Sequence, residues 1–156
     1  MYEQWMPDLL QGLPIIIASL VFGTIAIWHS RQRAAIEKTK LKLELFEKRH
    51  DVFLATWKFL SDLVRKSPIT TKDILTFSTN TASAKFLFGD EIIKFLDESM
   101  MQGIRLGTAE HTLSQLVSEK ARSEAYAERH ELVIWAENEL KQVKDRFKPY
   151  LDLSQQ

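Results

Sequence analysis

Cysteine is absent from the 156 residues of the sequence. This absence excludes disulfide bonds, thiolate nucleophiles and cysteine-based metal sites from the chemistry of the chain. It is compatible with a reducing compartment such as the cytosol. Any catalysis or metal binding would therefore have to rely on carboxylates, imidazoles, hydroxyls and cations.

Glycine and proline are scarce, with five and four copies respectively. Residues 30–66 and 108–148 contain neither, and they consist mostly of good helix formers. The alternating pattern of a strand is also missing. The sequence therefore predicts an all-α protein, an antiparallel helical bundle of long helices over these two stretches with a shorter helical pair at the distal end. The second stretch is compatible with one helix or with two.

Formal charge is missing from residues 9–28, LLQGLPIIIASLVFGTIAIW. About 20 such residues are long enough to cross a hydrocarbon core as a helix. We therefore predict a transmembrane helix from Leu9 to Trp28 that continues into the bundle. This divides the chain into a tail with the membrane span, residues 1–29, and a cytosolic helical domain, residues 30–156.

The distribution of charge predicts the orientation of that span. Glu3 and Asp8 precede it without any Lys or Arg, which favours an uncleaved span over a signal peptide. Ten cations and five acids occupy residues 31–66, which places the C-terminal domain in the cytoplasm and the N-terminus outside the cytoplasmic membrane. Anionic membrane lipid would attract this basic segment. The whole chain has 21 cations and 21 acids, a balance that does not suggest binding to duplex nucleic acid.

Mostly apolar residues recur at helical spacing after the span. The intervals alternate between three and four residues, the pattern of a helix-packing seam. We expect a stalk helix that continues the membrane helix and packs along this stalk seam. Its members are Ile36, Thr39, Leu43, Phe46, His50, Phe53, Trp57, Leu60 and Val64.

Local signals divide the middle of the chain. Thr70 and Asp73 have the spacing of a capping box, with Asp in place of the usual Glu. The helix that they open is expected to run to about Phe88. Gly89 is a natural helix stop, and Asp90 is a natural N-cap for the next helix.

Three further residues affect the predicted helix ends. Gly103 and Gly107 are expected to weaken or bend the end of the helix that follows Asp90, and Pro149 is expected to end the last long helix. An antiparallel return of that last helix would bring three residues back toward the membrane: Phe147, Tyr150 and Leu151.

Glu47 and His50 form the single E-x-x-H element of the sequence. Carboxylate-bridged di-metal bundles need this element twice, with two further glutamates. H-E-x-x-H, serine-nucleophile signatures and glycine-rich phosphate loops are missing as well. The sequence therefore predicts no catalytic residue, no metal site and no cofactor, and we do not expect an enzyme.

Three residues are candidates for contact with a ligand. His50 occupies a seam position where packing would favour an apolar side chain; the alternative is a packed histidine bonded to a neighbour. Arg49 lies beside it, and its fork suits phosphate or carboxylate groups. Arg105 lies between Gly103 and Gly107, where the alternative is close helix packing.

A second group of cations surrounds a predicted helix start. Arg65, Lys66 and Lys72 lie close in sequence to Thr70 and Thr71. Exposed N–H groups at a helix N-terminus favour anions. The alternative is an ordinary solvated face of charged side chains.

KLELFEKRHDVF after the basic juxtamembrane run, FLFGDEIIKFL and the late FKPYL resemble a broad set of small bacterial proteins. Those uncharacterised proteins have one N-terminal span and a cytosolic helical domain, so the resemblance implies topology and fold. In size and topology the chain also resembles the small membrane effectors of type III CRISPR defence. That second resemblance implies an oligomer whose cytosolic domain binds a cyclic oligoadenylate in antiviral defence.

Two functional hypotheses follow. In the first, the chain is a non-enzymatic, membrane-anchored sensor or effector that binds a small anionic ligand through Arg49, His50 and Arg105 and signals to an oligomeric membrane span. In the second, it is a scaffold subunit of a membrane complex without a small-molecule ligand. Ser19 and Gly23 are four residues apart in the span, which favours close helix contact and a homo-oligomer.

Overall fold

The structure is a computed structural model that describes the backbone of residues 6–115 and 118–152 and the side chains of residues 36–115 and 118–152. All regular structure within these ranges is helical, which confirms the all-α prediction. The helices are α1, Met6–Arg65; α2, Thr71–Thr81; α3, Ala84–Leu87; α4, Asp90–Ser114; and α5, Glu119–Leu151.

Two compact units make up the chain, Met1–Leu43 and Glu44–Gln156. In the part of the chain searched, the described residues, we find no helix with the length and apolarity that a membrane crossing requires. The predicted span from Leu9 to Trp28 lies outside the residues whose side chains are described, and it stays a prediction. The same applies to the predicted boundary between residues 1–29 and 30–156, which marks the end of that span.

The second unit is a helical bundle in which α1, α2, α4 and α5 alternate in direction. α5 runs antiparallel to α1, because Phe147 packs on Phe53 with ring centroids 5.6 Å apart, and Tyr150 accepts a hydrogen bond from Arg49. α2 returns alongside α1, where Phe77 stacks on Phe59 with ring centroids 4.1 Å apart.

α4 also spans the bundle instead of forming a short distal pair with α2. Its 25 residues extend roughly 37 Å at 1.5 Å per residue. The predicted short pair is therefore wrong, because the segment from Asp90 to Ser114 forms one helix as long as the bundle.

The buried face of α1 lies next to the predicted stalk seam rather than on it. Its buried residues are Val52, Thr56, Phe59, Leu60 and Leu63. Of the predicted seam within this stretch only Leu60 is buried, whereas Phe53, Trp57 and Val64 are half-buried beside the core. The seam pattern predicts one partner helix. The bundle instead packs α2, α4 and α5 around α1, which moves the buried face by about one residue.

The capping box at the start of α2 is confirmed. The Thr70 hydroxyl accepts a hydrogen bond from the backbone N–H of Asp73, and the Asp73 carboxylate accepts one from the backbone N–H of Thr70. The predicted extension of this helix to Phe88 is wrong, since α2 ends at Thr81 and the short α3 follows. The residues at the break, NTAS, include poor helix formers, and the Thr81 hydroxyl donates to the Phe77 carbonyl within the last turn.

Gly89, rather than Asp90, is the N-cap of α4, and Asp90 is its first helical residue. The φ of Gly89 is −77°, so the backbone conformation itself does not demand glycine. The Tyr150 hydroxyl lies 3.2 Å from the position of a Cβ at Gly89. A larger residue at this position would require the Tyr150 hydroxyl to shift by a few tenths of an ångström.

α4 continues unbroken through Gly103 and Gly107, so the predicted weakening of this helix is wrong. A Cβ at Gly103 would lie 2.5 Å from Cζ of Phe59. The glycine thus permits close contact between α4 and α1, which was the alternative that the sequence left open.

The stretch from Thr108 to Lys148 forms parts of two helices. α4 ends at Ser114, and α5 begins after the N-cap Ser118, whose hydroxyl accepts from the backbone N–H of Ala121. Pro149 lies inside the last turn of α5 rather than at its end. Proline at this position removes one intrahelical hydrogen bond, the one to the carbonyl four residues earlier.

Candidate functional site

Arg49 connects three helices at one end of the bundle. Its Nε donates to the carbonyl of Leu87 at 3.0 Å, and its Nη1 donates to the carbonyl of Tyr150 at 3.1 Å. Its guanidinium also lies over the Tyr150 ring, 5.7 Å from the centroid. Leu87 and Tyr150 lie at the C-terminal ends of α3 and α5, where carbonyls lack intrahelical partners and cations are favoured. The side chain therefore caps two helices.

His50 lies half-buried between two aromatic rings of α1. The ring centroids are 5.7 Å from Phe46 and 6.0 Å from Phe53. Its outer edge lines an open groove of about 560 Å³ between α1 and the end of α5. The His50 ring therefore packs on its neighbours and also borders a groove.

Opposite charges balance in the groove beside His50, which we call the His50 groove. Lys144 and Lys148 contribute two cations, and Asp145 and Asp152 contribute two anions. The formal charge of the lining is therefore zero when the imidazole is neutral. The remaining lining is apolar and consists of Phe53 and Leu151.

Arg105 lies on α4 far from the other two candidates. Its Nε donates to Oε1 of Glu128 at 3.1 Å, and its Nη1 donates to Oε1 of Gln102 at 2.9 Å. Glu128 and Tyr150 are 22 residues apart on the same helix, which corresponds to roughly 33 Å. The structure brings Arg49 and His50 together, but it does not bring Arg105 into a common site with them.

One of the cations near the start of α2 is paired with an anion of the same chain. Lys66 forms an ion pair with Asp73, whose carboxylate also accepts hydrogen bonds from the backbone N–H and hydroxyl of Thr70. Hydrogen bonding to Lys66, and then to Thr70, holds the pKa of Asp73 well below its ordinary value. The N-terminus of α2 is thus neutralised by a side chain of the chain itself.

Glu110 is an anchor that the sequence interpretation missed. This residue of α4 is 7% exposed. Its Oε2 accepts the backbone N–H of Ile69 at 2.6 Å, and its Oε1 lies 3.5 Å from Nε of Arg129. One signal could have found it, because Glu110 follows Leu106 and Ala109 at helical spacing on the apolar face.

A half-buried ion pair within α5 also escaped prediction. Glu139 and Arg146 of α5 form an ion pair with an Oε2–Nη2 distance of 2.9 Å. The guanidinium of Arg146 lies over the ring of Phe95, 4.8 Å from its centroid. The pair faces α4, and its charges compensate each other within the bundle.

Metal ligands do not gather in the part of the chain that the structure describes, where no group of three His, Asp or Glu side chains could hold an ion. Glu47 is exposed, whereas His50 is half-buried against aromatic rings. The expectation that the protein needs no metal or cofactor stays a prediction. Neither a protein-family model nor a curated protein nor a solved structure matches this chain, so both resemblances stay hypotheses.

Proposed function

We propose that the chain is a non-enzymatic, membrane-anchored scaffold whose helical domain binds other polypeptides. The single observation that carries this proposal is the position of Arg49. This arginine, a predicted contact for phosphate or carboxylate, donates to two carbonyls of its own bundle. A ligand phosphate would have to compete with both hydrogen bonds.

The His50 groove has the features of a small docking surface. Phe53 and Leu151 form an apolar floor, and charges of both signs surround it. Protein interfaces combine an apolar centre with a polar rim in this way. An apolar anchor from a partner helix would fit the floor, and charged residues beside it would meet Lys148 and Asp145.

A charge reversal at the rim tests the scaffold. We would isolate the tagged full-length chain from membranes of its native host and identify proteins that co-purify in stoichiometric amount. Lys148→Glu should release such a partner, whereas Lys94→Glu, an exposed reversal on α4, should retain it. Absence of a stoichiometric partner, or equal retention by both variants, would contradict the scaffold.

A sensor of small anions is the second candidate, because His50, Lys144 and Lys148 border one groove. Two lysines and a histidine could contact the phosphates of a cyclic oligonucleotide if Asp145 and Asp152 turned toward solvent. Titration of the detergent-solubilised full chain with cyclic oligoadenylates tests this candidate. Saturable binding that Lys148→Met weakens would favour the sensor over the scaffold.

A further inference from the structure

α1 carries exposed apolar side chains between residues 36 and 43. Ile36 is 56% exposed and Leu43 is 50% exposed. The contacts of α5 with α1 include Lys144 with Trp57, Phe147 with Phe53 and Tyr150 with Arg49, and α5 ends one residue after Tyr150. Arg49 is the first residue of α1 among these contacts.

The exposed part of the stalk seam has the register of a coiled coil. Ile36, Leu43 and His50 are seven residues apart and occupy the a positions, while Thr39 and Phe46 occupy the d positions. A polar residue at a single a position specifies the register of a coiled coil. His50 takes that polar place at the point where α5 begins to cover the seam.

Charges beside the seam fit a second copy in parallel orientation. Lys42 occupies the g position before Leu43, and Glu47 occupies the e position after Phe46, five residues later. In a parallel pair the g residue of one strand meets the e residue of the next heptad on the other strand. Each Lys42 would therefore meet Glu47 of the second copy, and opposite charges would meet on both sides of the coil.

We propose that residues 36–50 of α1 form a parallel two-stranded coiled coil with a second copy of this chain. The proposal rests on the proposed membrane anchor, which gives both copies the same orientation. Two heptads are short for a free coiled coil. Tethering in one membrane raises the effective concentration of the two strands and offsets that limitation.

Disulfide trapping tests this coil, and the lack of native cysteine makes single substitutions clean. We would oxidise the full-length Leu43→Cys protein in membranes and compare it with Leu41→Cys. Both leucines are exposed, at 50% and 65%, but Leu41 occupies the outward f position. A disulfide requires Cα atoms within roughly 7 Å, which only residues at the coil axis reach. We expect about tenfold more covalent dimer for Leu43→Cys, because tethering concentrates aligned strands.

A charge exchange adds a test of register. In the Leu43→Cys background, Lys42→Glu should reduce the dimer because it faces Glu47 of the second copy, and adding Glu47→Lys should restore it. Equal trapping of Leu41→Cys and Leu43→Cys, or trapping of neither, would overturn the coil. Failure of the charge exchange to restore the dimer would overturn its parallel register. Release of a heterologous partner by Lys148→Glu is a separate readout, so the scaffold and the coil can fail independently.

Discussion

The two ends of the bundle use charges of opposite sign for the same task. At one end, Arg49 donates to the carbonyls of Leu87 and Tyr150, at the C-terminal ends of two helices. At the other end, Glu110 accepts the backbone N–H of Ile69 in the connection between α1 and α2 and pairs with Arg129. Each charge is complementary to the backbone groups that its end leaves without a helical partner.

Burial distinguishes these two anchors. Glu110 is 7% exposed, whereas Arg49 is half-buried and also rests on the Tyr150 ring. A buried charge loses more when its partner disappears, because water cannot replace the lost contact. The comparison therefore predicts a gradient of mutational effects from Glu110 through Arg49 to exposed ion pairs.

Removal of the Glu110 carboxylate should have the largest effect. Glu110→Ala leaves the buried N–H of Ile69 without its charged acceptor and removes the ion-pair partner of Arg129, and should lower the free energy of unfolding by about 3 kcal/mol. Glu110→Gln should cost less, because its amide oxygen can still accept from Ile69. Urea unfolding of the detergent-solubilised chain, followed by circular dichroism, measures both. Equal effects would show that the ion pair, rather than the backbone hydrogen bond, carries the stabilisation.

Loss of the Arg49 guanidinium should have the second-largest effect on the free energy of unfolding. Arg49→Met keeps the length of the side chain but removes both donors, and should cost about 2 kcal/mol. Arg49→Lys keeps the charge near the helix ends and one donor, so about half of that loss is expected. Hydrogen exchange of the last turn of α5 provides a local check. A larger effect of Arg49→Met than of Glu110→Ala would reverse the predicted gradient.

The capping box of α2 should contribute less to the free energy of unfolding than Arg49 does. Its contribution should also depend on pH. The pKa of Asp73 is lowered from its ordinary value of 3.8, chiefly by hydrogen bonding to Lys66. The stabilisation is therefore fully present above that ordinary value and is lost as the pH falls toward the lower folded pKa. Asp73→Asn should lose about 1 kcal/mol at neutral pH. The difference in free energy of unfolding between Asp73→Asn and the wild type should shrink in acid. A difference that does not change with pH would contradict the role of the Asp73 charge.

The exposed pair on α4 and α5 should have the smallest effect. Arg105 and Glu128 are 43% and 41% exposed, so solvent screens their attraction. Arg105→Ala should change the free energy of unfolding by less than about 0.5 kcal/mol. The same urea unfolding measures it, with Lys94→Glu as an unpaired surface control. If Arg105→Ala lowered the free energy of unfolding as much as Arg49→Met does, burial could not explain the gradient.

Local chemistry allowed several parts of the fold to be predicted. Residues 30–65 lie in α1, most of residues 108–148 lies in α4 and α5, and the Thr70–Asp73 box opens α2. Each of these features depends on a few neighbouring residues. Two of the predictions that failed depend on contacts between distant residues: the buried face of α1 and the grouping of Arg105 with Arg49.

The candidate site shows the same division. Arg49 was predicted to contact a ligand beside a polar seam position, and its acceptors within the bundle lie 38 and 101 residues away in sequence. Spacing along one helix cannot reveal those acceptors. Glu110 was missed for a related reason, since a glutamate on an apolar face is recognised as an anchor only when its backbone partner is known.

The sequence by itself determined the helical class, the approximate helix ends and the uneven distribution of charge, because helix propensity, capping and net charge are local or additive properties. Only the tertiary structure decided which face of α1 is buried and which charged side chains serve the fold. Burial and hydrogen bonding depend on what the neighbouring helices bring to each position. In this bundle they convert Arg49 from a candidate ligand contact into a cap on two helices.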